Sequence, residues 1–156
     1  SIKRGAGPGG LSFVQRFEYW KAATGIISKN FWFGVGTGDM DEAFRIQYEE
    51  MKTQLPPEVR HRSHNQFLAI FTAFGVFGFI WFIFTLVYPP IQLKAFRNFR
   101  YFVFFAIISL SMLFEDTLET QTGVSFFMFF YSLLLFGRNK TGVSAENNYT
   151  QKISDD

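Results

Sequence analysis

Apolar residues gather into three blocks along the chain, and polar stretches flank them on both sides. The blocks are Phe67–Tyr88, Tyr101–Phe114 and Val124–Phe136, whereas residues 1–65 and 137–156 are mostly polar. Continuous apolar runs of this kind are typical of membrane segments, not of a core assembled from alternating faces. The pattern therefore predicts an all-α membrane protein with a polar region before the first membrane segment.

The first apolar block is the longest. Phe67–Tyr88 contains no charged residue and would be about 33 Å long as a helix, enough to cross a hydrocarbon layer of about 30 Å. The proline pair at 89–90 is expected to end this helix, because proline lacks the amide that a helix interior needs. We therefore place the first membrane segment at 66–88.

The other two apolar blocks are shorter. Tyr101–Phe114 would be about 21 Å long as a helix, and it runs directly into the acidic stretch 115–119. We place the second and third membrane segments at 101–118 and 124–136. They are either thin spans, spans that extend through the acidic stretch, or a partly re-entrant pair, and the sequence leaves all three open.

Two amphipathic helices are predicted before the first membrane segment. The first covers about 12–29, with Ser12 as its N-cap, and the second covers about 40–54, with Asp39 as its N-cap. The proline pair at 56–57 is expected to end the second helix. Their apolar stripes suit the surface of a bilayer or of other spans.

Charge indicates the orientation of these segments. The connection at 89–100 carries three bases and no acid, and 137–156 carries Arg138 and Lys140 near its start, whereas 115–123 carries three acids and no base. The positive-inside rule places the two basic connections in the cytoplasm, the second as a disordered tail. Residues 1–65 and 115–123 then share the extracytoplasmic side, where they could build one site.

The amino-acid composition excludes several classes of function. The chain has 23 Phe, no Cys and a net charge of +2. The absence of Cys excludes disulfides, thiol catalysis and Cys-ligated metals, and the small charge gives no support to nucleic-acid binding. With only two His and no carboxylates at ligand spacing around them, we predict neither a metal nor a cofactor. The chain opens without Met or a signal-peptide pattern, so we expect further spans upstream.

The residues with the clearest chemical potential precede the first membrane segment. Ser63 is the expected N-cap of that helix, which would put His64 in its first turn. A neutral imidazole there can accept a proton from a hydroxyl, as a general base does. The planar guanidinium groups of Arg60 and Arg62 can each donate two parallel hydrogen bonds to an anion such as phosphate. The alternative is that all three are interfacial side chains that meet lipid head groups.

The acidic stretch after the second apolar block is a second candidate. Glu115 and Glu119 are four residues apart and would share a helix face. Of the three acids in this stretch we favour Glu115, either to orient an acceptor or to pair with an arginine of the polar region. Acids at a membrane interface are also common without any function.

One spacing resembles a known family signature. His64-Asn65, followed after nine residues by Gly75 and after two more by Gly78, is similar to the signature of the O-antigen ligase family and its polymerase relatives. Arg16 and the aromatic residues after it resemble the start of that family's large periplasmic loop. The resemblance covers roughly residues 12–136 and corresponds to the C-terminal part of such a protein.

The resemblance implies a metal-independent glycosyltransferase of the bacterial inner membrane, multi-pass, with its active site facing the periplasm. The donor would be an undecaprenyl-diphosphate-linked oligosaccharide. The acceptor would be a hydroxyl of lipid A-core in a ligase, another lipid-linked unit in a polymerase, or a protein in a protein O-oligosaccharyltransferase. His64 would be the general base, with His61 as its rival. Arg16, Arg60 and Arg62 would bind the diphosphate, and Glu115 would be the orienting acid.

A different class of function also fits part of the pattern. In a transporter fragment the arginines, histidines and acids would line a solute path. Between Phe67 and Val87 the first membrane segment carries only two hydroxyl side chains, Thr72 and Thr85, which is few for such a path. A purely structural membrane module would leave the cluster around His64 without a role.

Overall fold

The computed structural model describes residues 8–137, and of their side chains those from Val14 onward. This part of the chain is helical and contains no strand. Its helices are α1 (Pro8–Lys29), α2 (Met40–Glu50), α3 (Gln66–Gln92), α4 (Phe99–Phe114) and α5 (Gln121–Phe136). Two 3₁₀ turns, Pro57–Val59 and Ala95–Arg97, lie before α3 and α4. Within the described residues, only α3 is long and apolar enough to cross a membrane.

Both helices predicted before the first membrane segment are present, but one begins earlier than predicted. Helix α1 starts at Pro8, so Ser12 lies inside it and not at its N-cap. Proline suits a first helical position, because the amide it lacks would have no partner there. Asp39 is the N-cap of α2 as expected, although its side chain makes no capping hydrogen bond.

Two helices end before the positions that the sequence indicated. Helix α2 ends at Glu50, ahead of the prolines at 56–57, and Lys52 follows it with a φ of 48°. Helix α4 ends at Phe114, so the second apolar helix does not continue to residue 118. The acidic residues after Phe114 therefore belong to a loop. The predicted disordered tail, from residue 138 onward, lies outside the described residues.

Helix α3 is broken in the middle. Gly75 has a φ of 64° and a ψ of −165°, which no α-helix accommodates. The rings of Phe67 and Phe82 lie 6.1 Å apart, whereas fifteen residues of straight helix would separate them by about 22 Å. The rings of Phe71 and Phe79 stack at 5.1 Å. The two limbs of α3 therefore fold back on each other, and the straight 33 Å helix expected from the sequence is wrong.

The proline pair also lies elsewhere than expected. Pro89 and Pro90 are inside α3, which continues to Gln92. The residue that interrupts this helix is Gly75, and a left-handed φ costs glycine nothing. The sequence predicted an uninterrupted helix through Gly75, and the structure shows a complete break there.

The loop after α1 fills the break in α3. Three backbone hydrogen bonds join the two: Val35 N to Thr72 O, Gly36 N to Ala73 O, and Val76 N to Phe31 O, at 2.9, 2.9 and 2.8 Å. A Cβ on Gly34 would lie 2.4 Å from the Ala73 backbone, and a Cβ on Gly75 would lie 2.4 Å from the Trp32 backbone. The two backbones meet so closely that each side requires a glycine.

Small residues let α1 pack against the first limb of α3. Ala22 and Ala23 of α1 and Ala69 and Ala73 of α3 are buried in one core, and α2 contributes larger apolar residues to the same core. A second core joins the second limb of α3 to α4 and α5 through Leu86, Ile108, Met112 and Phe127. The loop between α4 and α5 reaches back to the start of α3, where Leu118 N donates to Gln66 Oε1 at 2.7 Å.

Candidate functional site

The segment 59–65 is tied to α1 and α2 by its backbone. Three side chains donate to its carbonyl oxygens: Tyr19 Oη to Val59, Tyr48 Oη to His61, and Trp20 Nε1 to Ser63, at 2.6, 2.7 and 3.1 Å. We call this segment the strap. Because aromatic side chains hold its carbonyls from the α1–α2 side, its own polar side chains are left to face the cavities described below.

The strap enters α3 through Asn65, not through Ser63. The Asn65 side chain accepts from Leu68 N at 3.1 Å and donates from Nδ2 to the Leu113 carbonyl at 3.0 Å. The Asn65 side-chain amide thus caps α3 with its oxygen and binds the end of α4 with its nitrogen. The shorter side chain of serine could not make both contacts. His64 has a φ of 46° and precedes the cap. The prediction that Ser63 caps α3 and that His64 lies in its first turn is therefore wrong.

His64 lies beside a carboxylate from the loop after α4. Its Nδ1 is 3.7 Å from Oδ2 of Asp116, and the two side chains are 40% and 16% exposed. The other carboxylate oxygen of Asp116, Oδ1, is buried and has no hydrogen-bond partner among the described residues. Burial raises the pKa of Asp116 above its ordinary value, although nearby His64 and the Asn65 amide lower it again.

Two cavities meet at the histidines. The larger, of about 820 Å³, lies between α2, the strap and the loop after α4. The smaller, of about 220 Å³, lies between α1 and the same histidines. His61 and His64 line both, and their rings are 5.8 Å apart. Tyr19 packs near each of them, with centroid distances of 6.0 and 5.9 Å.

Arg16 faces the smaller cavity together with His64. Its guanidinium donates to the Phe114 carbonyl at 2.8 Å and to Glu115 Oε1 at 3.3 Å. It also lies 5.9 Å from the centre of the Phe114 ring. The structure therefore places Glu115 against Arg16, one of the two roles that the sequence suggested for it. It is Asp116 that lies against the histidine.

The two strap arginines differ in how much of the guanidinium is engaged. Arg62 donates from two nitrogens to both carboxylate oxygens of Asp41, at 2.7 and 2.9 Å, and lies 3.5 Å from Glu119. The hydrogen bond from Arg62 is the main cause of the lowered pKa of Asp41. Arg60 uses only Nε, which donates to the Leu55 carbonyl at 3.0 Å. Both arginines line the larger cavity.

Asp116 is the acid that the structure places beside His64, whereas the sequence analysis favoured Glu115. We favoured Glu115 because residues 115 and 119 would share a helix face. That argument fails, because α4 ends at Phe114 and the acidic stretch is a loop of turns. The sequence signal that could have pointed to Asp116 was its position just after a short apolar helix. Within residues 8–137, no group of three or more His, Asp or Glu side chains could hold a metal ion.

Comparison with known proteins gives one match. The sequence matches the family described as O-antigen ligase over residues 4–83, about half of the chain. The matched part contains Arg16, the strap and both glycine-rich sides of the α3 break, whereas Asp116 lies beyond it. No curated protein and no solved structure matches the chain. With a family match over half of its length, the chain belongs to the O-antigen ligase family.

Proposed function

We propose that this chain carries the catalytic site of a membrane glycosyltransferase, which moves a glycan from a lipid diphosphate to an acceptor hydroxyl. The family implies lipid-linked glycan substrates and a membrane setting. One observation supports the site above all others: a half-exposed histidine, His64, at the junction of two cavities with the carboxylate of Asp116 behind its Nδ1.

His64 acts as the general base through Nε2. Asp116 near Nδ1 holds the ring in one orientation and stabilises the imidazolium that forms when a proton arrives, as the carboxylate of a catalytic triad does. Their 3.7 Å separation is longer than a hydrogen bond, and such contacts often tighten only when substrate binds. This role differs from the one predicted for Glu115, which was to orient the acceptor or to pair with an arginine.

The reaction follows from this placement. His64 takes the proton of the acceptor hydroxyl as its oxygen attacks the anomeric carbon of the donor glycan. The new C–O bond forms on the face opposite the breaking bond to the diphosphate, so the configuration inverts. The bonding electrons leave with the lipid diphosphate, whose growing negative charge requires cationic partners.

Arg16 and Arg60 are the cations that we assign to the diphosphate. Arg16 shares the smaller cavity with His64, and a planar guanidinium matches the geometry of phosphate oxygens. Arg60 lines the larger cavity and uses one nitrogen in a hydrogen bond within the described residues. We assign Arg62 to the support of the site, because Asp41 already binds the Nε and Nη2 edge of its guanidinium and Glu119 lies 3.5 Å from Nη1.

The substrates and the location are also part of the proposal. We propose an undecaprenyl-diphosphate-linked donor, a lipid A-core acceptor and a site on the periplasmic side of the inner membrane. The orientation requires the strap and the acidic loop to share one side. The contacts of Asn65 with Leu113 and of Gln66 with Leu118 support this, because they hold both segments together.

The test compares two neighbouring histidines in the full-length protein in its native membrane. His64→Ala should lower transfer by about 10²- to 10⁴-fold, the usual contribution of a general base. His61→Ala is the matched control, since His61 lines the same two cavities without a carboxylate partner, and it should keep most of the activity. Full activity in His64→Ala at normal protein level would overturn the mechanism.

The same experiment tests the substrates. Transfer of glycan to lipid A-core and the amount of unused lipid-linked donor are measured together. In His64→Ala the donor should accumulate while lipid A-core stays unmodified. If the unmodified protein instead lengthens the lipid-linked glycan or glycosylates a protein, the proposed acceptor is wrong while the role of His64 stands.

A further inference from the structure

Three consecutive aromatic residues form the tip of the loop after α1. Phe31, Trp32 and Phe33 are 42%, 60% and 80% exposed, and we call them the aromatic tip. No charged residue lies between Phe31 and Gly38. Large apolar side chains held this far out of a core usually mark a surface that is covered in the working protein.

The backbone of the aromatic tip is fixed to the broken helix. Phe31 O accepts from Val76 N, and neither Gly34 nor Gly75 has room for a side chain. Breaking a helix frees carbonyl and amide groups, and here the loop binds two of the carbonyls, Thr72 O and Ala73 O, and one amide, Val76 N. Non-helical backbone can lie at membrane depth only where protein groups satisfy it in this way.

The aromatic tip continues an apolar surface of α3. The rings of Trp32 and Phe33 lie 5.9 and 5.7 Å from the ring of Phe77, and the ring of Phe31 lies 5.6 Å from that of Phe71. The exposed side chains of α3 that extend this surface are all apolar: Phe74, Phe77, Ile80, Trp81 and Phe84. In a membrane-protein family, an exposed apolar face on an apolar helix such as the second limb of α3 faces lipid.

We propose that the aromatic tip inserts into the bilayer and anchors the α1–α2 pair to it. The partner is the lipid itself, the hydrocarbon and carbonyl region just below the head groups, where aromatic rings concentrate. The tip is a convex ridge continuous with the lipid-facing side of α3, and this shape favours many lipid chains over one ligand in a groove. The inference stands apart from the catalytic role of His64.

The anchor has a mechanical consequence for the site. Helix α1 and the first limb of α3 run side by side from the strap to the tip, and Asn65 and Gly75 are ten residues apart, about 15 Å of helix. A tip held at a fixed depth in the bilayer therefore fixes the distance of the strap from that depth.

The test measures the depth of a label on the tip. The chain contains no cysteine, so Phe33→Cys introduces the only one in this part of the protein. The full-length protein carrying it is spin-labelled in liposomes, with the signal from labelled parent protein subtracted. Gln54→Cys, at an exposed polar position after α2, is the matched control. Collision of the label with oxygen, which dissolves in hydrocarbon, is compared with collision with a water-soluble nickel chelate.

At position 33 we expect frequent collisions with oxygen and a loss of collisions with the chelate, and at position 54 the reverse. Equal access of the chelate to both positions would overturn the proposal. Low access of both reagents at position 33, together with a spectrum broadened by a second nearby spin label, would also overturn it. A second copy of the chain would then cover the tip. Phe33 is mostly exposed, so its replacement leaves the packing intact.

Discussion

The two ends of the α1–α3 pair are built on opposite principles. At the strap end, side chains hold the backbone: Tyr19 and Trp20 bind carbonyls, and Asn65 joins α3 to α4. At the tip end, backbone holds backbone through Gly34 and Gly75, and the side chains point away. The first arrangement presents charged and polar groups to two cavities. The second presents aromatic rings on the outside.

The difference indicates which surroundings, with water or without it, suit each end. Polar groups at the strap end lie beside open cavities, where water or substrate can complete their hydrogen bonds. At the tip end the loop and the break in α3 satisfy each other's backbone groups through three hydrogen bonds, which suits surroundings without water. The proposed chemistry and the proposed membrane contact would thereby be kept at opposite ends of one helix pair.

The largest expected effect comes from breaking the tip end. Gly34→Ala should destabilise the protein severely, because the new Cβ would lie 2.4 Å from the Ala73 backbone and the φ of 70° is unfavourable for alanine. Gly36→Ala is the matched control: its φ is 83°, but a Cβ there would meet nothing within 4 Å, so only the left-handed strain of about 1–2 kcal/mol applies.

The measurement is the apparent melting temperature of the purified full-length protein in detergent, together with its yield. Gly34→Ala should fall well below Gly36→Ala in both. Similar values for the two variants would mean that the loop does not fill the break in α3 as described.

The next effect comes from removing a cation at the strap end. Arg16→Ala should lower transfer by about 10²- to 10³-fold if the guanidinium stabilises the leaving diphosphate. Glu115→Gln removes the charge of its partner and leaves the arginine in the smaller cavity, so it should keep most of the activity. Initial rates at saturating donor measure both. Equal losses in the two variants would assign Arg16 a structural role through the ion pair alone.

The smallest effect is the pH dependence of two aspartates at the strap end. Burial raises the folded-state pKa of Asp116 above its ordinary value of about 3.8. Between these values the native state binds more protons than the unfolded state, so the free energy of unfolding decreases as pH rises. The pKa of Asp41 is lowered by Arg62, so its contribution is instead lost as pH falls below the ordinary value.

Melting temperatures from pH 3 to pH 7 separate the two signs. Relative to the parent protein, Asp116→Asn should gain stability as pH rises through its window, and Asp41→Asn should lose it. Transfer should increase over the range in which Asp116 ionises, so stability and activity should change in opposite directions. A common sign for both variants would show that burial does not dominate at Asp116.

Much of the helical framework follows from local signals in the sequence. The α2 N-cap at Asp39 and the apolar runs of α3, α4 and α5 were readable, because caps and apolar runs depend on neighbours in the chain. The fold-back at Gly75 could not be predicted, because a glycine in an apolar run is compatible with a continuous helix and with a broken one. The partner that decides, the loop at Gly34, is forty residues away in sequence.

The site was predictable in part for the same reason. His64 and Arg16 carry the family resemblance, and the structure brings both to the smaller cavity. The choice between Glu115 and Asp116 depended on where α4 ends. The ion pair of Arg62 depended on the position of Asp41, which belongs to α2. Such contacts between distant segments leave no spacing rule in one sequence.

The central claim is that His64 and Asp116 act as one unit in transfer. A double-mutant cycle tests it most directly: initial rates of glycan transfer are measured for His64→Ala, Asp116→Asn and the double variant, at equal protein levels. Residues that act as a unit are strongly non-additive, so the double variant should be no slower than His64→Ala alone. If the two losses instead multiply, Asp116 does not act through His64, and the account of the site is contradicted.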